Sequence, residues 1–315
     1  MSTQKVCIGI DIGGTNIEVG YVNSSGEVIF KRHYPTKSFQ HPDQFIRKLQ
    51  EDVTLDRDLH KLAILGVGIG APSGNYFTGS IEHAPNMPWD GIIPLARLVQ
   101  DATGLPTLLT NDANAATVGE MQFGSAKGLR NFILITLGTG VGSGFVSNGE
   151  LIYGHDGFAG ELGHVIVREN GRVCGCGRLG CLETYCSATG VVLTAKEKLS
   201  QSLKSELHQI PIHELNSAHI SKAAGNGDVL ALEVIDETAR ILAIALANAV
   251  AIISPDHIFI YGGLSHAGEI LLQPLRKYFD SFLLKNYRNK VKILPSGLPD
   301  EAAICGAAAL AWNKI

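Results

Sequence analysis

The chain has 315 residues, 45% hydrophobic and 18% charged, a balance that excludes a collagenous, low-complexity or disordered protein. Its formal net charge is −4 with Lys and Arg scattered, which excludes the concentrated basic footprint of a nucleic-acid binder. At roughly 100–200 residues per domain, the length predicts two domains, each able to bury its own core.

Taken in order, residues 6–10 are a short apolar strand that ends at Asp11 and a Gly-Gly pair. The break at Asp11 and the glycines removes the uninterrupted apolar region that a secretion signal needs. Residues 17–22 and 28–30 complete a meander of strands. A helix is predicted over residues 42–60, a strand over 65–69, a Gly-, Pro- and Asn-rich loop over 70–91, a helix near 92–103 and a strand over Thr107–Thr110. Asn111-Asp112 then opens a helix. Residues 133–137, 145–146 and 150–152 repeat the first meander, with Gly138-Thr139-Gly140-Val141-Gly142 at its turn and Thr136 where the first copy has Asp11. This internal duplication predicts two related halves. Helices follow over residues 184–199 and 228–253, a strand over His257–Tyr261 ending in Gly262-Gly263, and a small-residue helix over 300–312 with Asp300 as its N-cap. The helix over Val229–Ile253 carries Glu233, Asp236, Glu237 and Arg240, so its charge-free part is too short to span a bilayer. Alternating strands and helices place the chain in the α/β class, and a cytoplasmic location is expected.

Four constellations carry chemistry. The turns Asp11-Ile12-Gly13-Gly14-Thr15 and Gly138–Gly142 can each present backbone N–H groups and a hydroxyl to phosphate oxygens, or can be plain glycine hairpins. Neither is a Walker A loop. The second leads into a strand, not a helix, which argues against a dinucleotide fingerprint. Asp11, at a strand end, could hold Mg²⁺ through water. Asn111 and Asp112 read either as helix caps or as a cap plus a general base that takes a proton from an attacking hydroxyl. His164, Cys174, Cys176 and Cys181 have the spacing of a closed tetrahedral Cys₃His zinc site, structural because no coordination position stays open. Cys7, Cys186 and Cys305 read as small buried hydrophobes. Glu161 and Glu183 flank the cysteine loop, as acceptors for a ligand rich in hydroxyls or as solvated surface carboxylates.

At these residues the chain resembles the ROK family of bacterial sugar kinases and sugar-responsive repressors, within the actin and hexokinase superfamily. The resemblance rests on Asp11-Ile-Gly-Gly-Thr15, Asn111-Asp-Ala-Asn-Ala-Ala116, Leu137-Gly-Thr-Gly-Val-Gly-Ser-Gly144, Glu161-Leu-Gly-His164 and Cys174-Gly-Cys-Gly-Arg-Leu-Gly-Cys-Leu-Glu183. It implies a two-lobed, actin-like ATPase (ribonuclease H-like) fold, with duplicated α/β domains and a cleft between them. The small domain would comprise residues 1–112 plus 304–315, and the large one residues 113–303 with the zinc loop. The implied activity is ATP- and Mg²⁺-dependent phosphorylation of the 6-hydroxyl of a hexose, glucose first, as in glycolysis. Asp112 would be the base. Asn111, Glu161, His164 and Glu183 would hydrogen-bond the sugar, with Asn86 and Gly70 as smaller contacts. Asp11, Gly13, Gly14, Thr15, Gly138, Thr139 and Gly140 would surround the triphosphate and its metal, with Gly262 and Gly263 beside the adenosine. A homodimer is implied, with no nucleic-acid or membrane partner.

The alternatives within the family are an N-acylhexosamine kinase or a fructokinase. From a different class comes a non-catalytic sugar sensor; the repressor branch carries a helix-turn-helix ahead of the first strand, which the five residues before Val6 do not supply. One departure from the family pattern is the bulky loop Pro72-Ser-Gly-Asn-Tyr-Phe77, where relatives have Pro-Gly and a short apolar and acidic segment.

Overall fold

A computed structural model describes residues 4–84, 87–201, 204–298 and 301–314. The elements begin with β1 (Gln4–Ile12), β2 (Asn16–Val22), β3 (Val28–Pro35), α1 (Pro42–His60), β4 (Leu62–Gly70), β5 (Gly74–Asn75), β6 (Ser80–Glu82), β7 (Ile92–Ile93), α2 (Leu95–Thr103), β8 (Thr107–Thr110) and α3 (Asp112–Phe123). They continue with β9 (Phe132–Leu137), β10 (Val141–Ser147), β11 (Glu150–Leu151), α4 (Glu183–Cys186), α5 (Ala188–Leu199), α6 (Ser217–Gly225), α7 (Val229–Ile253), β12 (His257–Tyr261), α8 (Glu269–Phe282), β13 (Lys292–Pro295) and α9 (Ala302–Trp312).

The chain forms two compact units, one of Met1–Leu129, Leu151–Ala159 and Gly297–Ile315, the other of Arg130–Glu150 and Gly160–Ser296. Each holds a five-stranded sheet of the same order, β3-β2-β1-β4-β8 in the first and β11-β10-β9-β12-β13 in the second. In the first, β1 pairs antiparallel with β2 and parallel with β4, which pairs parallel with β8. In the second, β9 pairs antiparallel with β10 and parallel with β12, which pairs parallel with β13. The repeat read from the glycine turns is thus a repeat of topology.

The first unit buries both faces of its central strands, as parallel strands require. Val6, Ile8, Ile10 and Ile12 of β1 join Phe45, Leu49 and Val53 of α1 on one side. On the other, Cys7 joins Ile304, Cys305 and Ala308 of α9. Close approach is the reason for small residues here. A Cβ at Gly9 or Gly68 would strike the α9 backbone, and one at Gly306 would strike the backbone of α3. Helix α3 packs along α9 and therefore belongs to the first compact unit, which extends past residue 112 to Leu129.

The second unit gathers Ile133, Ile135 and Leu137 of β9, Ile258 and Ile260 of β12 and the buried face of α7 into one core. No helix among the described residues is long and apolar enough to cross a membrane. Two helices differ from their predicted extents. The run over 184–199 is split into α4 and α5 by Ser187, whose Oγ accepts the Gly190 N–H at 3.0 Å and so starts a new helix. The helix near 92–103 starts at Leu95, because Ile92 and Ile93 pair with β6 instead. The predicted cap Asp300 lies outside the described residues.

Candidate active site

In the first unit the sheet register sets the chemistry. Asp11 pairs with Gly70, and Gly70 pairs with Thr110, so the carboxyl ends of β1, β4 and β8 form one row. Such ends are where open α/β sheets bind ligands. The turn after β1 is closed by Gly13 N–H donating to Asn16 O at 2.8 Å. Thr36 braces it twice, its Oγ donating to Gly13 O at 2.6 Å and its N–H to Thr15 O at 2.8 Å. Thr36 in turn follows β3, which Arg32 and Tyr34 tie to the buried carboxylates Asp56 and Asp52 of α1. Gly13 and Gly14 stay partly accessible and Thr15 is exposed. Thr36 was not legible as a site residue, because its partners are backbone atoms distant in sequence.

The turn from β8 into α3 separates two roles. Asn111 is the cap, its Oδ1 accepting the Asn114 N–H at 2.6 Å. Asp112 accepts the adjacent Ala113 N–H, at 2.8 Å, and remains solvent-accessible. The cap is therefore accounted for without Asp112. Gly70 lets the turn sit close to the sheet, since a Cβ there would lie 3.1 Å from Ala115 Cβ and 3.7 Å from Asp112 Cα. Although accessible, Asp112 is surrounded by protein, and lost hydration raises its pKa against the lowering effect of the Ala113 and its own N–H. Asp11 is pushed up to about 7 by burial first, then by the charges of Asp112 and Glu18.

In the second unit, Gly138 N–H donates to Gly140 O at 3.1 Å and Ala188 N–H to Gly138 O at 2.8 Å, which fixes the Gly138–Gly140 turn against the start of α5. Thr136, the counterpart of Asp11, accepts the Gly142 N–H at 3.1 Å, so this copy spends its strand-end side chain on the turn. Thr139 is exposed. Gly262 follows β12 with φ 98°, and a Cβ there would lie 2.7 Å from Leu137 O; only glycine fits both the dihedral and the approach. Gly262 thereby lies beside the strand end that leads into Gly138, and Gly263 is open.

The same unit gathers His164, Cys174, Cys176 and Cys181, whose ligand atoms all lie within 4.8 Å of one another. The knuckle is formed by Gly177 N–H to Cys174 O and Cys174 N–H to Arg178 O, both at 2.9 Å, with Gly177 at φ 85°. His164 turns Nδ1 toward Cys174 Sγ at 3.6 Å and Nε2 toward Glu161 Oε2 at 3.9 Å. Glu183 accepts from the Cys174 thiol at 2.9 Å and lies 3.7 Å from His164 Nδ1. Its other oxygen occupies the space a Cβ on Gly140 would take. Both predicted acids thus flank the histidine. Two arginines escaped the sequence reading. Arg172 anchors the loop through Thr184 O, Gly190 O, Thr194 and Glu197, and Arg168 and Arg172 each stand 4.7 Å from the Tyr185 ring. Only the packed loop reveals them. Cys7, Cys186 and Cys305 are buried and are not members of this cluster. Asn86 lies outside the described residues.

Two topologically equivalent α/β units, each ending its first hairpin in a glycine turn, define the two-domain, actin-like ATPase fold. The chain belongs to the ROK family, whose profile matches residues 7–314. It is similar to the glucokinase of Halalkalibacterium halodurans, 36% identical over an alignment of 312 positions that covers 95% of this chain and 92% of that one. The glucokinase of Thermotoga maritima is likewise 36% identical over an alignment of 312 positions, which covers 98% of each chain. Among solved structures, a ROK family glucokinase from Streptomyces griseus in complex with glucose and AMPPNP matches with a TM-score of 0.83 and 33% identity, covering 98% of this chain and 99% of that one.

Proposed function

We propose that this chain is an ATP-dependent glucokinase that transfers the γ-phosphoryl group to the 6-hydroxyl of glucose. The observation that carries this reading is the division of labour at the β8–α3 turn: Asn111 caps the helix and leaves the accessible carboxylate of Asp112 for proton transfer. Asp112 takes the proton from the 6-hydroxyl as its oxygen attacks the γ-phosphorus; the bond to the bridging oxygen breaks and ADP leaves. Asn111, Glu161, His164 and Glu183 hydrogen-bond the ring hydroxyls, Gly70 gives the turn its closeness to the sheet, and Asn86 is a further sugar contact. The backbone N–H groups and hydroxyls of Gly13, Gly14, Thr15, Gly138, Thr139 and Gly140 receive the phosphates, and Gly262 and Gly263 border the adenosine. Asp11 would hold Mg²⁺, which when bound would offset the negative charge of the phosphates. The sequence similarity to bacterial glucokinases supports glucose as the hexose.

The donor set His164, Cys174, Cys176 and Cys181 suits Zn²⁺: three thiols and one imidazole whose ligand atoms lie within 4.8 Å of one another, the complement of a closed structural site. Were His164 to hold the ion through one ring nitrogen, the other would be left for a sugar hydroxyl, so zinc would orient a substrate-binding residue rather than take part in the chemistry. A cytoplasmic homodimer working in glycolysis is the setting that this reading implies.

The test is a coupled ATP-consumption assay over glucose, mannose, fructose, N-acetylglucosamine and N-acetylmannosamine. Glucose is expected to give the highest kcat/KM, and Asp112→Asn to lower kcat by about 10²–10⁴-fold. An N-acyl sugar in first place would make the chain an N-acylhexosamine kinase. Sugar binding without phosphate transfer to any of them would make it a sensor.

A further inference from the structure

Residues 71–77 form the bulky loop that departs from the family pattern, and the structure shows what it is built against. Ala71 N–H donates to Thr110 O at 3.0 Å, and a Cβ on Gly74 would press on the same carbonyl. The loop is thus seated on the last residue of β8, one step before Asn111. Its Tyr76 ring stacks on Tyr153 with centroids 4.1 Å apart and planes 11° from parallel, and Phe77 meets Tyr153 edge-on at 6.0 Å. Tyr153 belongs to the segment Leu151–Ala159, which is part of the same compact unit. That segment is pinned by Asn75 Nδ2 donating to Asp156 O at 2.8 Å and by Ala159 N–H donating to Tyr153 O at 3.0 Å.

The polar atoms of this cluster are not consumed by the fold. The Thr110 hydroxyl is fully buried and makes no direct hydrogen bond. The Tyr153 hydroxyl lies close enough to Thr110 to feel it, yet falls short of a formed bond. Burial and the neighbouring Tyr76 phenol keep Tyr153 protonated, hence a donor. A hydroxyl buried without a partner loses its bonds to water and gains none in return, so such a group implies a partner brought from outside. Flat apolar ring faces beside unpaired hydroxyls match a ligand with both C–H faces and hydroxyl edges, which is the chemistry of a hexose.

We infer that Tyr153, held in place by Tyr76, is a further substrate-contacting residue that donates its phenolic hydrogen bond to one ring hydroxyl of the hexose. This rests on the sugar-kinase reading above. Tyr153 sits at the strand end that supplies Asn111 and Asp112, and its contact orients the sugar without taking part in phosphoryl transfer.

The test compares wild type with Tyr153→Phe, which keeps the stacked ring and removes only the hydroxyl. Glucose and its 1-, 2-, 3- and 4-deoxy analogues are measured by steady-state kinetics and, without ATP, by calorimetric binding. Tyr153→Phe is expected to raise the KM and Kd for glucose about tenfold, with kcat and the KM for ATP within about threefold of wild type. One deoxy analogue should lose affinity against glucose in wild type but not in Tyr153→Phe, because the missing hydroxyl and the missing donor are the same bond. That ratio is taken within each variant, so a change in the folded fraction cancels. An unchanged glucose Kd in Tyr153→Phe, or an equal loss for all four analogues in both proteins, would overturn the inference. Binding that follows the expected pattern in a protein that phosphorylates no hexose would keep Tyr153 as a sugar contact and reject only the kinase reading.

Discussion

Asp11 and Asp112 stand near each other at one sheet end, and their ionisation is a property of the pair. Burial raises both, and Asp112 adds to the upward push that takes Asp11 to about 7. A base must be ionised, so kcat/KM for glucose should fall as pH is lowered, with the acid limb displaced upward from the usual carboxylate range because burial raises Asp112. In Asp11→Asn the remaining acid limb should move to lower pH, and a limb unmoved by the substitution would show that the two groups do not communicate. Stability carries the opposite sign. A carboxylate whose folded pKa is raised binds its proton more tightly in the folded state; its contribution is complete below about pH 4 and is lost as pH rises through about 7. Asp11→Asn should therefore unfold at a higher temperature than wild type at pH 8, by on the order of a few degrees, with the difference vanishing near pH 4. Thermal unfolding at the two pH values reads this directly. A buried carboxylate that the fold would be more stable without is the expected trade between site and fold.

At the scale of elements, two predictions concern how packing and loop structure hold the site residues in place. Helix α9 approaches α3 at Gly306, where a side chain would meet backbone instead of a movable neighbour. Gly306→Val should cost on the order of 3 kcal/mol or more, seen as an early first transition in urea unfolding, because neither helix can retreat from the sheet it covers. A variant that unfolds like wild type would mean that α3 and α9 are not locked together. The cysteine loop behaves differently. It has few apolar anchors; Val173 and Ile166 are exposed, and its shape comes from the knuckle hydrogen bonds, the arginine clamp and the four metal-type donors. Prolonged treatment with a strong chelator should raise the glucose KM more than it changes the ATP KM, with re-added Zn²⁺ restoring it, since the loop places His164 and Glu183 and not the glycine turns. Equal loss for both substrates would assign the metal to the fold as a whole.

For the whole molecule, much of the plan was legible before any coordinates. The glycine turns announced two copies of one meander, and the sheets share one strand order because a glycine-rich hairpin at a strand end leaves few ways to continue. The His-Cys spacing was equally readable, since ligands close in sequence fold to one point without help from distant residues. Other features were hidden for physical reasons. Thr36 supports Gly13 and Thr15 across a sheet, and Arg172 clamps the cysteine loop to α5; both depend on tertiary partners that no local pattern encodes. Helix α8 and strand β13 were missed because Pro274 interrupts the helical pattern of the one and the other is only four residues long. The stacked pair Tyr76 and Tyr153 left a faint trace, as a loop bulkier than its relatives, but pairing residues so far apart requires the fold.

The placement of α9 has a consequence for how the molecule comes into being. Strands β1 and β4 emerge early in synthesis, yet one face of each is covered by a helix that is translated after every other described element. Until then Cys7 and Val22, with Gly9 and Gly68 beside them, present an uncovered apolar surface on the nascent chain. The second unit, by contrast, has its strands and helices complete by Pro295 and can consolidate first. Order of folding would then run against order of synthesis, and the first unit would spend most of translation as a client for chaperones that shield exposed sheets.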